Sequence, residues 1–396
     1  MEKGNQYYLD IMKSASGDID PQAVAILKRL KDSNHDAYLV GGCVRDLLVG
    51  IQPKDFDIAT SALPNEVKRR VPYSFIIGRR FKLVHARRGE KIFEIATYRR
   101  EATQEELESN HVTELPFSEE NYFGNLEEDS FRRDFTVNAM FYDPIAEVLV
   151  DHCNGLSDIT TKTIRMIGDP LIRIKEDPVR ILRAIRLSQK LHFSIEQELR
   201  KAIHDNIGEI ERAVTPRRRE EWLKFFKLPS IDLALVELFD LGVFQAVIPA
   251  FHELFLDHDK QEHFRSYIRQ ISRVGINIHD SVELLAGVIY SFLLAQYDHP
   301  LKININEISE NSRFQLFCRE ELGIFKAEMT SIELSIQFIR VLRDRDYYLK
   351  KGERKRFSLL NNIHFDLALK LGLLSGELDA SDFAFWMQEK DLIAGH

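Results

Sequence analysis

The stretch Lys54-Asp55-Phe56-Asp57-Ile58 alternates acidic and apolar side chains. On an extended strand a period of two sends Asp55 and Asp57 to one face and Phe56 and Ile58 to the other. The apolar face requires a core. The acidic face carries two like charges, which repel and weaken a sheet unless a cation sits between them. Hard oxygen ligands at this spacing suit Mg²⁺, which prefers carboxylates together with substrate phosphates. The plainer alternative is a solvated strand edge.

Upstream, Tyr38-Leu39-Val40 reads as a short strand that ends at Gly41-Gly42. Cys43-Val44-Arg45-Asp46 follows and leads into apolar Leu47-Leu48-Val49. Two glycines at a strand-to-helix turn let the backbone approach a phosphate closely, and the helix start favours negative charge. Arg45 adds a charge-assisted contact to a triphosphate. Taken alone, the pair is equally an ordinary tight turn. The stretch 20–35 reads as an amphipathic helix, 64–70 as a second helix opened by Pro64, and Phe93–Tyr98 as a further strand. The chain up to about position 150 thus mixes helix and strand around one sheet. From about position 176 amphipathic helical patterns dominate and strand signals are sparse. The pattern predicts an α/β head followed by an all-helical remainder.

A chain of 396 residues predicts two or more domains. With 44% hydrophobic and 29% charged residues it is globular rather than disordered. No run approaches the roughly 20 apolar residues of a membrane span. The opening residues lack a basic-then-apolar signal pattern, which predicts a cytoplasmic protein. Cys43, Cys153 and Cys318 stand alone, outside any CxxC pair, and suggest neither zinc nor a disulfide framework. Net charge is −8, yet basic groups cluster at Lys68-Arg69-Arg70, Arg79-Arg80, Arg87-Arg88, Arg99-Arg100, Arg132-Arg133 and Arg217-Arg218-Arg219. Any one is explained by a solvated surface; together they would line a path for a polyanion.

The Gly-Gly-x-Val-Arg-Asp turn followed by Asp-Phe-Asp resembles the nucleotidyltransferase superfamily that includes DNA polymerase β. Three ordered segments, Leu39 to Ala59, Arg132 to Ala139, and Glu176-Asp177-Pro178-Val179-Arg180, are similar to its class II branch. That branch holds bacterial poly(A) polymerases and CCA-adding tRNA nucleotidyltransferases. The resemblance covers roughly residues 36 to 230. It implies an α+β chain: a nucleotidyltransferase head with a mixed sheet at 20–160, a helical nucleotide- and RNA-binding neck at 161–230, and a helical body and tail at 231–396. It also implies template-independent addition of nucleotides to RNA 3′ ends, of mRNA or tRNA, with two-metal catalysis by Mg²⁺. Asp55 and Asp57 would hold the metals, and Asp134 would be catalytic. Either Asp134 or Glu94 would supply the third carboxylate. Gly42 and Arg45 would bind the triphosphate, Gly41, Arg133 and Asn138 would also be nucleotide-binding, and Asp177, Arg180 and Arg183 would lie at the base.

Asp177 precedes Pro178 as a natural helix cap, and Arg180, Arg183 and Arg186 form a stripe that is otherwise a solvated face. A carboxylate accepting from an exocyclic amine and a guanidinium donating to a ring nitrogen match A and C; G and U present the opposite polarity. The run Ile76-Ile77-Gly78-Arg79-Arg80-Phe81-Lys82-Leu83-Val84-His85 resembles poly(A) polymerases, apart from Ala86 where a valine is usual. Phe123-Gly124 before Glu127-Glu128-Asp129 resembles them too. The expected activity is therefore AMP addition from ATP, with CCA addition, using CTP as well, as the alternative. Two other classes fit less well. A non-catalytic RNA-binding protein on the same fold would have lost Asp55, Asp57 and Asp134. An HD-type phosphohydrolase would use His204-Asp205, His258-Asp259 or His279-Asp280, but no ordered set of the required kind accompanies them.

Overall fold

The computed structural model describes residues 2–78, 82–103, 106, 122–297 and 299–394. The chain divides into two compact units. One comprises residues 1–173 with 193–200; the other comprises 174–192 with 201–396.

The first unit is built on a seven-stranded mixed sheet. Its strands are β1 (Ala37–Val40), β2 (Asp57–Thr60), β3 (Ser74–Ile77), β4 (Leu83–Arg88), β5 (Lys91–Thr97), β6 (Met140–Asp143) and β7 (Val148–Asp151). Their order is β3-β4-β5-β2-β1-β6-β7. The β2–β5 pair is parallel and every other pairing in the sheet is antiparallel. Helices α1 (Glu2–Ser14), α2 (Pro21–Lys31), α3 (Gly42–Leu48) and α4 (Pro64–Arg70) belong to this unit. Pro21 sits in the first turn of α2, where its missing N–H costs nothing. The Asp20 side chain caps the same helix by accepting from Gln22 N at 2.8 Å. Ala23, Ile26, Leu27 and Leu30 of α2 are buried along one stripe, as helical period requires. Pro64 opens α4 where the sequence places it, and Glu66 accepts from Leu63 N at 2.8 Å. Four strands, β3, β4, β6 and β7, carry no separate signal in the sequence.

The second unit is helical. The Ser281–Tyr297 helix is buried continuously from Leu284 to Ala295, so it is surrounded on all sides. Phe251 is in ring contact with Phe244, Phe264, Phe292 and Phe317, and these rings form an aromatic core. No helix among the described residues is long and apolar enough to cross a membrane.

Candidate active site

Strand register builds the site. Val40, the last residue of β1, lies opposite Asp57, the first residue of β2. The glycine turn therefore leaves the sheet beside the acidic pair. Gly41 has a φ of 75°, a backbone state that glycine adopts without strain. Its N–H reaches the Met140 carbonyl at 3.4 Å. On the other side of β2, Ile58 pairs with Ile95 of β5, which sets Glu94 beside Asp57. One strand further, His85 of β4 pairs with Glu94, and its Nε2 stands 3.4 Å from Glu94 Oε1. Asp57, Glu94 and His85 thus form a row across three strands on one face. Phe56 and Ile58 are buried, as the alternation requires. Regular strand begins at Asp57, and Asp55 belongs to the approach to it.

The row is electrostatically loaded. Asp57 keeps contact with solvent, yet the surrounding protein displaces enough water to push its carboxyl up to about 6. Burial is the largest cause, and the charges of Glu94 and then Asp55 add to it, against the pull of Arg133. Cys43 lies buried nearby; burial and the Asp57 charge push its thiol up to about 12, so it is no nucleophile. Hard oxygen donors that repel one another fit a divalent cation, which would relieve the repulsion. Among the described residues no three metal-ligating side chains already converge.

Around the glycine turn, Arg45 is buried. Its Nε and Nη2 donate to Asp46 Oδ1 at 2.9 and 2.6 Å, and its Nη1 donates to Asn138 Oδ1 at 2.5 Å. Asn138 in turn donates to Asp134 Oδ1 at 3.2 Å, and Phe135 N donates to the same oxygen at 2.8 Å. Asp134, Asn138, Arg45 and Asp46 form one chain of hydrogen bonds behind the turn. The salt bridges of Arg132 and Arg133 go to buried Asp129, with Arg133 Nη2 at 2.8 Å from Oδ2. Burial works against ionisation of Asp129, but Arg133 and Arg132 hold it below the usual carboxylate range. Arg133 also lies over the Phe141 ring at 5.0 Å, a cation–π arrangement.

The residues expected at the base, Asp177, Arg180 and Arg183, belong to the helical unit. Asp177 Oδ1 accepts from Val179 N at 3.3 Å, which caps the Val179–Leu191 helix. Both oxygens of the same carboxylate are held by Arg217, at 2.9 and 2.8 Å. Arg180 Nη1 donates to Glu176 at 3.1 Å. Arg183 and Arg186 face the Thr215–Phe225 helix, where buried Glu221 takes Arg186 Nε at 2.6 Å and Arg183 at 3.5 Å. The arginine stripe is therefore ion-paired rather than a solvated face. Sequence reasoning misses Arg217 and Glu221, although their i, i+4 spacing and opposite charge complement the 177–186 segment.

The arginines of the basic run at 217–219 also make contacts within the protein. Arg217 holds Asp177, Arg218 reaches Thr215 and the Glu320 carbonyl, and Arg219 reaches Glu328 and the Gly323 carbonyl. Arg79, Arg80 and Phe81 lie outside the described residues. The Phe123-Gly124 segment has a local explanation. A Cβ on Gly124 would meet Glu128 Oε2 at 2.6 Å, and Asn125 and Glu128 make a capping box there. His204 pairs with Asp205 on the surface, and the His-Asp dipeptides assemble no metal cluster among the described residues.

Comparison with known proteins matches this architecture. Residues 37–165 fit the family model described as the poly A polymerase head domain. Residues 192–255 fit that described as the probable RNA and SrmB-binding site of polymerase A. Poly(A) polymerase I of Haemophilus influenzae is 30% identical over 340 residues, 80% of this chain and 75% of that protein. The CCA-adding enzyme of Lactobacillus helveticus is 38% identical over 208 residues, 52% of this chain and 50% of that protein. In fold, the chain is similar to the Thermotoga maritima CCA-adding enzyme solved with tRNA, with a TM-score of 0.58 and 22% identity over 96% of this chain and 85% of that one. The chain belongs to the family of bacterial poly(A) polymerases and CCA-adding tRNA nucleotidyltransferases.

Proposed function

We propose that this chain is a poly(A) polymerase, which transfers AMP from ATP to an RNA 3′-hydroxyl in the cytoplasm. The hydroxyl oxygen forms a bond to the α-phosphorus, and the bond to the departing pyrophosphate breaks. The row Asp57–Glu94 beside Asp55 and the glycine turn supports the chemistry. The breadth of the likeness to poly(A) polymerase I, 80% of the chain against 52% for the CCA-adding enzyme, carries the choice of AMP.

Asp55, Asp57 and Glu94 are the residues that would hold Mg²⁺. When bound, the metal neutralises phosphate charge and lowers the pKa of the attacking hydroxyl. Gly41 and Gly42 leave room for the triphosphate against the main chain. Asp134 acts through Asn138 and Arg45, whose hydrogen-bonded chain fixes the turn from behind, and Arg133 moderates the acidic row. Asp177 accepts from the exocyclic amine of the base and Arg180 donates to its ring nitrogen, with Arg183 supporting them on the same helix. A and C satisfy this pair; G and U leave both groups unpaired, at a cost that makes rejection strong.

CCA addition is the second reading, favoured by the fold likeness to CCA-adding enzymes and by the shorter but closer sequence match. Incubation with a generic RNA, and separately with tRNA lacking its CCA end, each with single NTPs and Mg²⁺, decides between them. Long heterogeneous A tails on generic RNA and little incorporation from CTP support the poly(A) reading. Two C and one A added to truncated tRNA, with generic RNA ignored, would establish the alternative.

A further inference from the structure

We propose that Arg217 sets nucleotide selectivity by holding Asp177 as a fixed hydrogen-bond acceptor. This rests on the reading of Asp177 as the base-reading carboxylate. The contact is a fork: Nη1 to Oδ1 at 2.9 Å and Nη2 to Oδ2 at 2.8 Å. Such two-pronged pairs add geometric specificity as well as attraction. The fork joins residues 40 apart in sequence. The Asp177 side chain is 21% exposed and that of Arg217 is 54% exposed. An ion pair so open to water adds little to stability, and Asp177 already caps its helix through Val179 N. Within the run Arg217-Arg218-Arg219 only Arg217 is aimed at Asp177; Arg219 turns to Glu328, and Arg218 to Thr215. One turn further along the same helix, Glu221 gathers Arg183, Arg186 and Lys224. The Thr215–Phe225 helix therefore meets both ends of the base-side segment with complementary charge.

Polarity is the consequence. A carboxylate can only accept; Oδ1 already takes Val179 N and Arg217 Nη1, so Oδ2, bound by one guanidinium N–H, keeps a lone pair for a base amine. A carboxylate free to turn would hold no oxygen in place for the base amine, and A and C would lose their advantage over G and U. The Arg217 fork removes that freedom, because its plane fixes the carboxylate plane. Arg217 thus acts through Asp177 and touches no reacting atom.

The test uses the full chain and a generic RNA, with kcat/KM measured for each of the four NTPs. Arg217→Gln should reduce discrimination of ATP over GTP and UTP by about tenfold or more, while kcat with ATP falls less. Arg217→Lys, which keeps the charge but not the fork, should recover part of that loss. Melting temperatures should stay close to the parent. Unchanged selectivity in both variants overturns the proposal and leaves Arg217 as a structural tie. Asp177→Asn, measured in parallel, separates the two levels. If it relaxes selectivity while Arg217→Gln does not, only the role of Arg217 falls. If it too leaves selectivity unchanged, the base-reading assignment falls and the inference with it.

Discussion

Glu221 offers the most quantitative test of how the helical unit is held. Its carboxylate is buried, with a side chain only 3% exposed, and takes Arg186 at 2.6 Å, Lys224 at 3.0 Å and Arg183 at 3.5 Å. Burial works against its ionisation; Arg186, Lys224 and Arg183 overcome it, so the carboxyl sits below its ordinary value. Glu221→Gln keeps the shape and an acceptor but removes the charge. Breaking one side of a buried ion pair costs about 3–5 kcal/mol, and partial exposure of the arginines and the retained acceptor reduce that to about 2–3 kcal/mol here. Both tryptophans, Trp222 and Trp386, lie in this unit and are buried, so their fluorescence reports its unfolding in urea. With a slope of about 1–3 kcal/mol per molar urea, the midpoint should fall by about 0.7–3 M. A depressed carboxylate pKa gives stability that is present above the ordinary carboxylate range and is lost as pH falls through the folded-state value. The gap between parent and variant should therefore be full at pH 7 and close in acid. A midpoint change under about 0.2 M at pH 7 would show that Arg183 and Arg186 find solvent or other partners at no cost, and would refute the argument.

Two further outcomes are expected in the sheet unit. Asp57→Asn should abolish nucleotide addition, yet raise the melting temperature in metal-free buffer at neutral pH, because an ionised Asp57 is penalised by burial, Glu94 and Asp55; a lower melting temperature would contradict the electrostatic account of the row. Gly41→Ala should cost about 1–3 kcal/mol, the usual range for forcing a side chain into a glycine backbone state, and should raise KM for ATP. The strain is in the backbone, with φ at 75°, since the added Cβ would still find 3.6 Å to Arg133 Nη1; thermal melts and initial rates check both parts.

Local signals make much of the site legible in the sequence. The alternation at 54–58, the glycine pair and the proline-opened helix at 64–70 depend on neighbours a few residues away, and chain geometry alone translates them into a strand, a turn and a helix start. Those signals also set which face of β2 is acidic and which is buried. Sheet order is different in kind. Nothing near Asp57 says that β5 will lie parallel beside it, yet that pairing, not the chain order, brings Glu94 against Asp57. The Asp134 Oδ1 contacts with Phe135 and Asn138, one and four positions on, are themselves local. Arg45 follows the glycines in sequence, and the fold adds Asn138, 93 positions away, as a partner. The arginine stripe at 180–186 reads as solvated because its period is that of one helix. A second helix supplies Arg217, 40 positions from Asp177, together with Glu221. Local chemistry fixes which residues can react and pairs near neighbours such as Arg133 with Asp129; the long-range packing of strands and helices, which no short sequence window contains, decides which distant charges meet.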